Sequence, residues 1–361
     1  MTDFPCIIGK TLRICKRYDD EKGMGRAKPL HDQQQGNHPM KLNIAAAFAA
    51  ALGLAAPAAA DSWDMPTPYG DAIFHTANIA QFAADVAAAT DGALTITVHS
   101  AGSLFPHAEI KNAVRSRQVP IGEFFLSRLS NEDLAYGIDS QPFVATSYDE
   151  AAKLWAAQKP AVEKLLAGQG LKPLFSVPWP AQGLYTKGEI ATVEDLAGLR
   201  FRAYNAALEE FATLANAAPV QIEASDIAQA FATGQVQAMI TSPSTGANSK
   251  AWDFVTHYTT IDAWVPKNIV VVNKRVFDAL SPEVQAAVIA AAATAETRGW
   301  EMSKDEATTK TQVMADNGMI IVAPSPALVA GLKAIGAQML DNWKAGASPD
   351  ALEVLSAYQA N

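Results

Sequence analysis

From Ser281 to Asp316 the sequence holds no proline after Pro282 and no glycine except Gly299. Ser281 followed by Pro282 reads as a helix N-cap and first helical residue. If the helix is continuous, about 35 residues rising about 1.5 Å each span roughly 50 Å. That exceeds the breadth of one small domain, so such a helix would run across two lobes and tie them together. The alternative is two helices broken near Gly299.

The rest of the chain fits two lobes of mixed structure, and 361 residues suffice for two domains. Short β-branched runs read as strands: Leu94–His99, Leu174–Val177, Ala238–Thr241 and Asn268–Asn273. Helical stretches lie between them. Ile79, Phe82, Ala83 and Val86 share one helical face, and Ser225-Asp226 opens another helix that ends at Thr233-Gly234. Strands alternating with helices give an α/β chain.

Met40-Lys41 introduces an alanine-rich apolar run ending Ala58-Ala59-Ala60. This reads as a signal peptide over 40–60, cleaved before Asp61, which sends the protein to the periplasm. Pro57 interrupts the run, against a membrane anchor, and no later segment is apolar for long enough to span a bilayer. Residues 1–39 are expected to be a non-native or unstructured leader, with translation starting at Met40; a genuine cytoplasmic extension is the alternative. Residues 1–60 hold 8 Lys/Arg and 5 Asp/Glu, so the remainder has 28 − 8 = 20 positive and 37 − 5 = 32 negative side chains, net −12. An acidic body argues against a nucleic-acid partner. Both cysteines, Cys6 and Cys15, lie in the leader, so the body has no disulfide or thiolate chemistry.

Catalytic and cofactor signatures are missing. There is no nucleophile elbow, no Gly-x-Gly-x-x-Gly and no phosphate loop. His75, His99, His107 and His257 show no metal-ligand spacing and read as surface or hydrogen-bonding residues. No metal or cofactor is expected, and the chain reads as a binder rather than an enzyme.

Four segments in order resemble one family. Phe82 to Leu94 with Ala101-Gly102-Ser103-Leu104, Asp195-Leu196-Ala197-Gly198-Leu199-Arg200-Phe201-Arg202, Ala230 to Met239, and Val271 to Glu283 are similar to the corresponding stretches of DctP-like substrate-binding proteins of TRAP transporters. The resemblance implies a two-lobed type II periplasmic-binding-protein fold with the long helix crossing both lobes. Residues 61–184 plus 272–311 would form one lobe and 185–271 plus 312–361 the other. It also implies a small carboxylate ligand and, as partners, the membrane permease subunits of an ion-driven transporter, the chain itself not spanning the membrane. A periplasmic receptor reporting to a sensor kinase, or an envelope enzyme acting on organic acids, are the other readings.

By that resemblance Arg202 pairs with the ligand carboxylate, a role its planar fork suits. Arg200 is expected on the opposite face and is the poorer candidate. Tyr185 stands where many relatives place a second arginine. Asn205, Thr241 and Ser242 fall on polar contact positions, and Phe125 and Ser127 near another. Trp179, Tyr204 and Trp264 add aromatic surface. With one mapped arginine, the ligand is expected to be a monocarboxylate with an apolar or hydroxylated body. Lys187 and Lys267 are the cations nearest in sequence that would supply a second charge.

Overall fold

The computed structural model describes residues 60–360; the expected leader and, save Ala60, the expected signal peptide lie outside them. The first half runs β1 (Asp61–Pro66), α1 (Phe74–Ala89), β2 (Leu94–His99), α2 (His107–Arg115), β3 (Ile121–Phe125), α3 (Tyr148–Ala167) and β4 (Leu171–Pro178). Next come β5 (Gly183–Thr186), β6 (Arg200–Ala203), α4 (Ala206–Leu214), β7 (Ala218–Gln221), α5 (Ile227–Ala232), β8 (Ala238–Thr241), α6 (Pro243–Asn248) and β9 (His257–Thr259). The chain closes with β10 (Lys267–Asn273), α7 (Lys274–Asp278), α8 (Pro282–Asp316), β11 (Ile320–Val322), α9 (Pro326–Gly346) and α10 (Pro349–Ala360).

Two sheets organise two α/β lobes. In the first, β10 lies between β3 and β4, antiparallel to both, with the parallel pair β1–β2 nearby. All seven residues of β10 are buried. Val270 and Val272 face a core built with α1 and α8, while Ile269 and Val271 face a second core under α2 and α3. Burial on both faces explains why the strand reads as an unbroken apolar run rather than an alternating one. Each such side chain contributes roughly 1.5–3 kcal/mol.

The second sheet has six strands in the order β11-β9-β5-β8-β6-β7. Leu184, Phe201, Ala203, Ala238 and Ile240 point to one core, completed by α4 and α9. Tyr185, Met239 and Tyr258 point to the other, which Met314 of α8 closes. The expected lobe boundaries need correction. Those at 184 and 271 fall inside β5 and β10, and hydrogen bonding keeps each of these strands in a single sheet. Residues after Ser348 return to the first lobe, where Val354 and Leu355 of α10 pack with Leu154 of α3.

Helix α8 is continuous over 35 residues, capped by the Ser281 hydroxyl, which accepts from the Val284 amide. There is no break at Gly299. The glycine is there because the helix passes so close to the first lobe that a Cβ would collide with Val177 and Asn78. The Asn78 amide donates to the Ala295 carbonyl at 2.9 Å and Trp300 Nε1 to the Ser176 carbonyl at 3.1 Å, fixing this half of the helix. The C-terminal half packs on α6 and β11, so the rod touches both lobes. Among the described residues no helix is long and apolar enough to cross a membrane.

Candidate functional site

Residues of both lobes line a cleft whose empty space, open solvent included, is about 420 Å³. Strand β6 positions its central charge. Phe201 and Ala203 fill the core under α4, so pleat alternation sends Arg202 to the other face. Arg202 is 3% exposed and lines the cavity. Its Nε donates to the Ile222 carbonyl at 3.0 Å, and its guanidinium lies over the Tyr204 ring, 5.0 Å from the centroid. Its Nη1 is buried without a hydrogen-bond partner. Burial pulls this group down to about 10, which leaves it charged at neutral pH.

Aromatic rings form two walls. The Tyr204 hydroxyl donates to Gln182 Oε1 at 3.2 Å and accepts the Trp264 indole N–H at 3.2 Å. Burial pushes the phenol well up, so it stays protonated. Phe125 meets the Tyr204 ring edge-on at 5.3 Å, joining the end of β3 to the end of β6. Opposite, Tyr69 and Trp179 pack edge to face at 5.0 Å. Both spend their polar atoms on Asn268 of β10, whose Oδ1 accepts from Tyr69 OH at 3.1 Å and Trp179 Nε1 at 2.9 Å. Asn268 is itself anchored by donating to buried Glu123 at 3.2 Å.

A charged cluster closes one side. Glu223, just after β7, places Oε1 3.0 Å from Arg128 Nη1 and Oε2 3.5 Å from His107 Nδ1. The Arg128 guanidinium also donates to the Tyr204 carbonyl at 3.3 Å. His107 Nε2 accepts the Phe125 amide at 3.0 Å. Hydrogen bonding from His107, with Arg128 and Arg202 nearby, holds the Glu223 carboxyl down at about 2. Burial lowers the His107 imidazole below its ordinary value.

Of the residues expected at the site, Arg202, Tyr204, Phe125, Trp179, Thr241 and Ser242 line the cavity. Four do not. Tyr185 shares a face with Arg202 through the register Tyr185–Met239–Arg202, but α6 covers it. Gly246 permits this, because a Cβ there would strike the Tyr185 ring. Trp264 stands behind Tyr204. Asn205 caps α4 by accepting from the Leu208 amide, and its Nδ2 donates to Ser127 Oγ at 2.8 Å, so the two side chains are spent on each other.

The expected second cations are also displaced. Lys267 is fully buried 3.3 Å from Asp139, and Lys187 is exposed. Arg200 does not face away from Arg202, since residues two apart on a strand share a face. It stands at the exposed start of β6, where Nε donates to the Gly234 carbonyl at 2.6 Å. Nor is every histidine at the surface: His75 is buried between Phe74 and Trp179, with its Nδ1 3.4 Å from Glu123 Oε1. Tyr69, His107, Arg128, Gln182 and Glu223 are lining residues that the sequence reading missed. One signal was present: Arg128 is the only charge within the apolar run Phe124–Leu129.

The profile of the bacterial extracellular solute-binding protein family 7 matches residues 68–345. DctP7, a Bordetella pertussis extracytoplasmic solute receptor binding pyroglutamic acid, is 43% identical and superposes with a TM-score of 0.82, covering 83% of this chain and 100% of that one. DctP6 of the same organism, likewise a receptor binding pyroglutamic acid, is 42% identical with a TM-score of 0.82 and the same coverage. A TRAP solute-binding protein from an unidentified marine-metagenome microbe, specific for pyroglutamate and crystallised with it, is 40% identical with a TM-score of 0.81, covering 84% of this chain and 99% of that one.

Proposed function

Because the chain belongs to the bacterial extracellular solute-binding protein family 7, we propose that it captures pyroglutamate, or a closely similar monocarboxylate, in the periplasm and presents it to a TRAP membrane permease. The observation that carries this reading is the unpartnered Nη1 of buried Arg202 at the cavity wall. A buried cationic donor without an acceptor is costly unless a ligand supplies one, and a carboxylate does so with charge assistance. Pyroglutamate joins one carboxylate to a small, flat lactam ring. The polar tips of Tyr69 and Trp179 are spent on Asn268, so this wall meets the apolar part of that ring with carbon surface.

On this reading the protein binds without turnover. Arg202 fixes the carboxylate and the lobes close over the ring; the closed form is the one the permease recognises. Closure follows ligand because ligand gains contacts from both lobes only there. Calorimetry against pyroglutamate and a panel of mono- and dicarboxylates, together with mass spectrometry of the molecule that co-purifies, tests the proposal. Pyroglutamate is expected to bind tightly. Tight binding of succinate or malate with pyroglutamate and other monocarboxylates inert would overturn it.

A further inference from the structure

Two guanidinium groups reach the cavity, Arg128 and Arg202, yet they stand in different states. Arg202 spends Nε on the Ile222 carbonyl and leaves Nη1 unpaired. Arg128 is already matched by the Glu223 carboxylate at 3.0 Å. We propose that Glu223 sets the charge count of the cavity and so selects ligands with a single carboxylate, an inference that rests on the organic-acid reading above.

The count follows from four groups. The two arginines contribute two positive charges and Glu223 one negative charge. His107 contributes none, because its Nε2 accepts the Phe125 amide and must carry a lone pair. That leaves its Nδ1–H to face Glu223 Oε2. The phenols of Tyr69 and Tyr204 keep their protons. Among the side chains that line the cavity the net charge is therefore one positive, which a single carboxylate neutralises. A second carboxylate would find its natural partner occupied and a like charge beside it, a repulsive element that discriminates between ligands. Adjacent residues of one segment thus treat the two arginines differently: the Ile222 carbonyl orients Arg202 for ligand, and the Glu223 side chain withdraws Arg128.

The test is Glu223→Gln, which keeps the shape and removes the charge. Wild type and variant are titrated with pyroglutamate and with glutarate, a dicarboxylate of the same carbon count. In Glu223→Gln the affinity ratio of glutarate to pyroglutamate is expected to rise by about tenfold or more. The double variant Arg128→Gln/Glu223→Gln, which restores a net charge of one, is expected to return the ratio toward that of wild type. A residue that only clasps the lobes shut would weaken both ligands alike and show no return in the double variant. A wild type that binds pyroglutamate, with a ratio unchanged within about twofold in Glu223→Gln, overturns this inference alone. A wild type that binds neither probe nor any other monocarboxylate of the panel overturns it together with the organic-acid reading.

Discussion

The hydroxyl of Tyr185 donates to the main-chain carbonyl of Ser242 at 3.0 Å. The bond ties the middle of β5 to the N-cap of α6, the turn that carries Ser242 into the cavity lining. Tyr185 therefore acts as a buttress behind the site. Tyr185→Phe is expected to cost about 1 kcal/mol of stability, the net worth of a neutral hydrogen bond, with more if the carbonyl is left unpaired. Ligand affinity should change by less than about threefold. Urea unfolding and calorimetry separate the two effects. A large affinity loss at unchanged stability would place the side chain in direct contact with ligand.

Arg202→Ala removes the partner of the proposed carboxylate. Truncating one member of a buried, hydrogen-bonded charge pair typically costs about 2–5 kcal/mol. Affinity should fall by roughly 30-fold to several-thousand-fold, since each 1.4 kcal/mol is about tenfold. Arg202→Lys should recover little, because a lysine lacks the planar fork that spans Ile222 and the cavity. Unchanged affinity in Arg202→Ala would remove the site assignment.

Gly299 offers a sign test of close packing. Alanine is the better helix former by about 1 kcal/mol. Its Cβ would, however, meet Val177 and the Asn78 amide inside normal contact distance. Overpacking of this kind costs about 1–3 kcal/mol. Gly299→Ala should therefore destabilise the protein despite its helical preference, measured as a lower urea midpoint. A stabilised variant would show that α8 can shift away from the first lobe freely.

Acid should weaken the fold in two stages. His75 and His107 are buried, and desolvation lowers both below the ordinary value of 6.5. Between the folded and unfolded values the unfolded chain binds more protons, so stability rises with pH there. Their contribution is complete above about 6.5 and is lost as pH falls below it, by up to about 1.4 kcal/mol per unit for each group. Glu223, held down at about 2 by His107 and Arg128, adds a second loss as pH falls from its unfolded value of 4.5 toward 2. Melting temperature should be flat near pH 7–8 and fall below about pH 6.5. His75→Phe should remove the His75 share of the first stage and leave that of His107, and an unchanged slope between about pH 5 and 6.5 would contradict the assignment.

What could be read in advance follows from how local each signal is. Strand β10 and helix α8 announce themselves because an apolar run and a Ser-Pro cap are properties of neighbouring residues. That Arg202 stands at the cavity wall was legible through its motif on β6. Arg128 and Glu223 were not, because they lie 95 residues apart and acquire meaning only when two lobes bring them within 3.0 Å. Tyr185 misled for a related reason: its strand register puts it on the face of Arg202, but α6, reached 57 residues later at Ser242, lies over it. The lobe boundaries slipped because strand pairing, which decides where β5 and β10 belong, has no local signature.

Asn268 gives the cavity an uneven susceptibility to change. A single amide oxygen on β10 silences the polar tips of both Tyr69 and Trp179. Were that residue replaced by one with no acceptor, a hydroxyl and an indole N–H would be released together, and a greasy wall would become a donating one without any substitution among the residues that form it. Divergence of ligand preference in such a protein need not begin where the ligand sits. It can begin one layer back, on the strand that holds the first lobe together, where one exchange rewrites the chemistry of two surfaces.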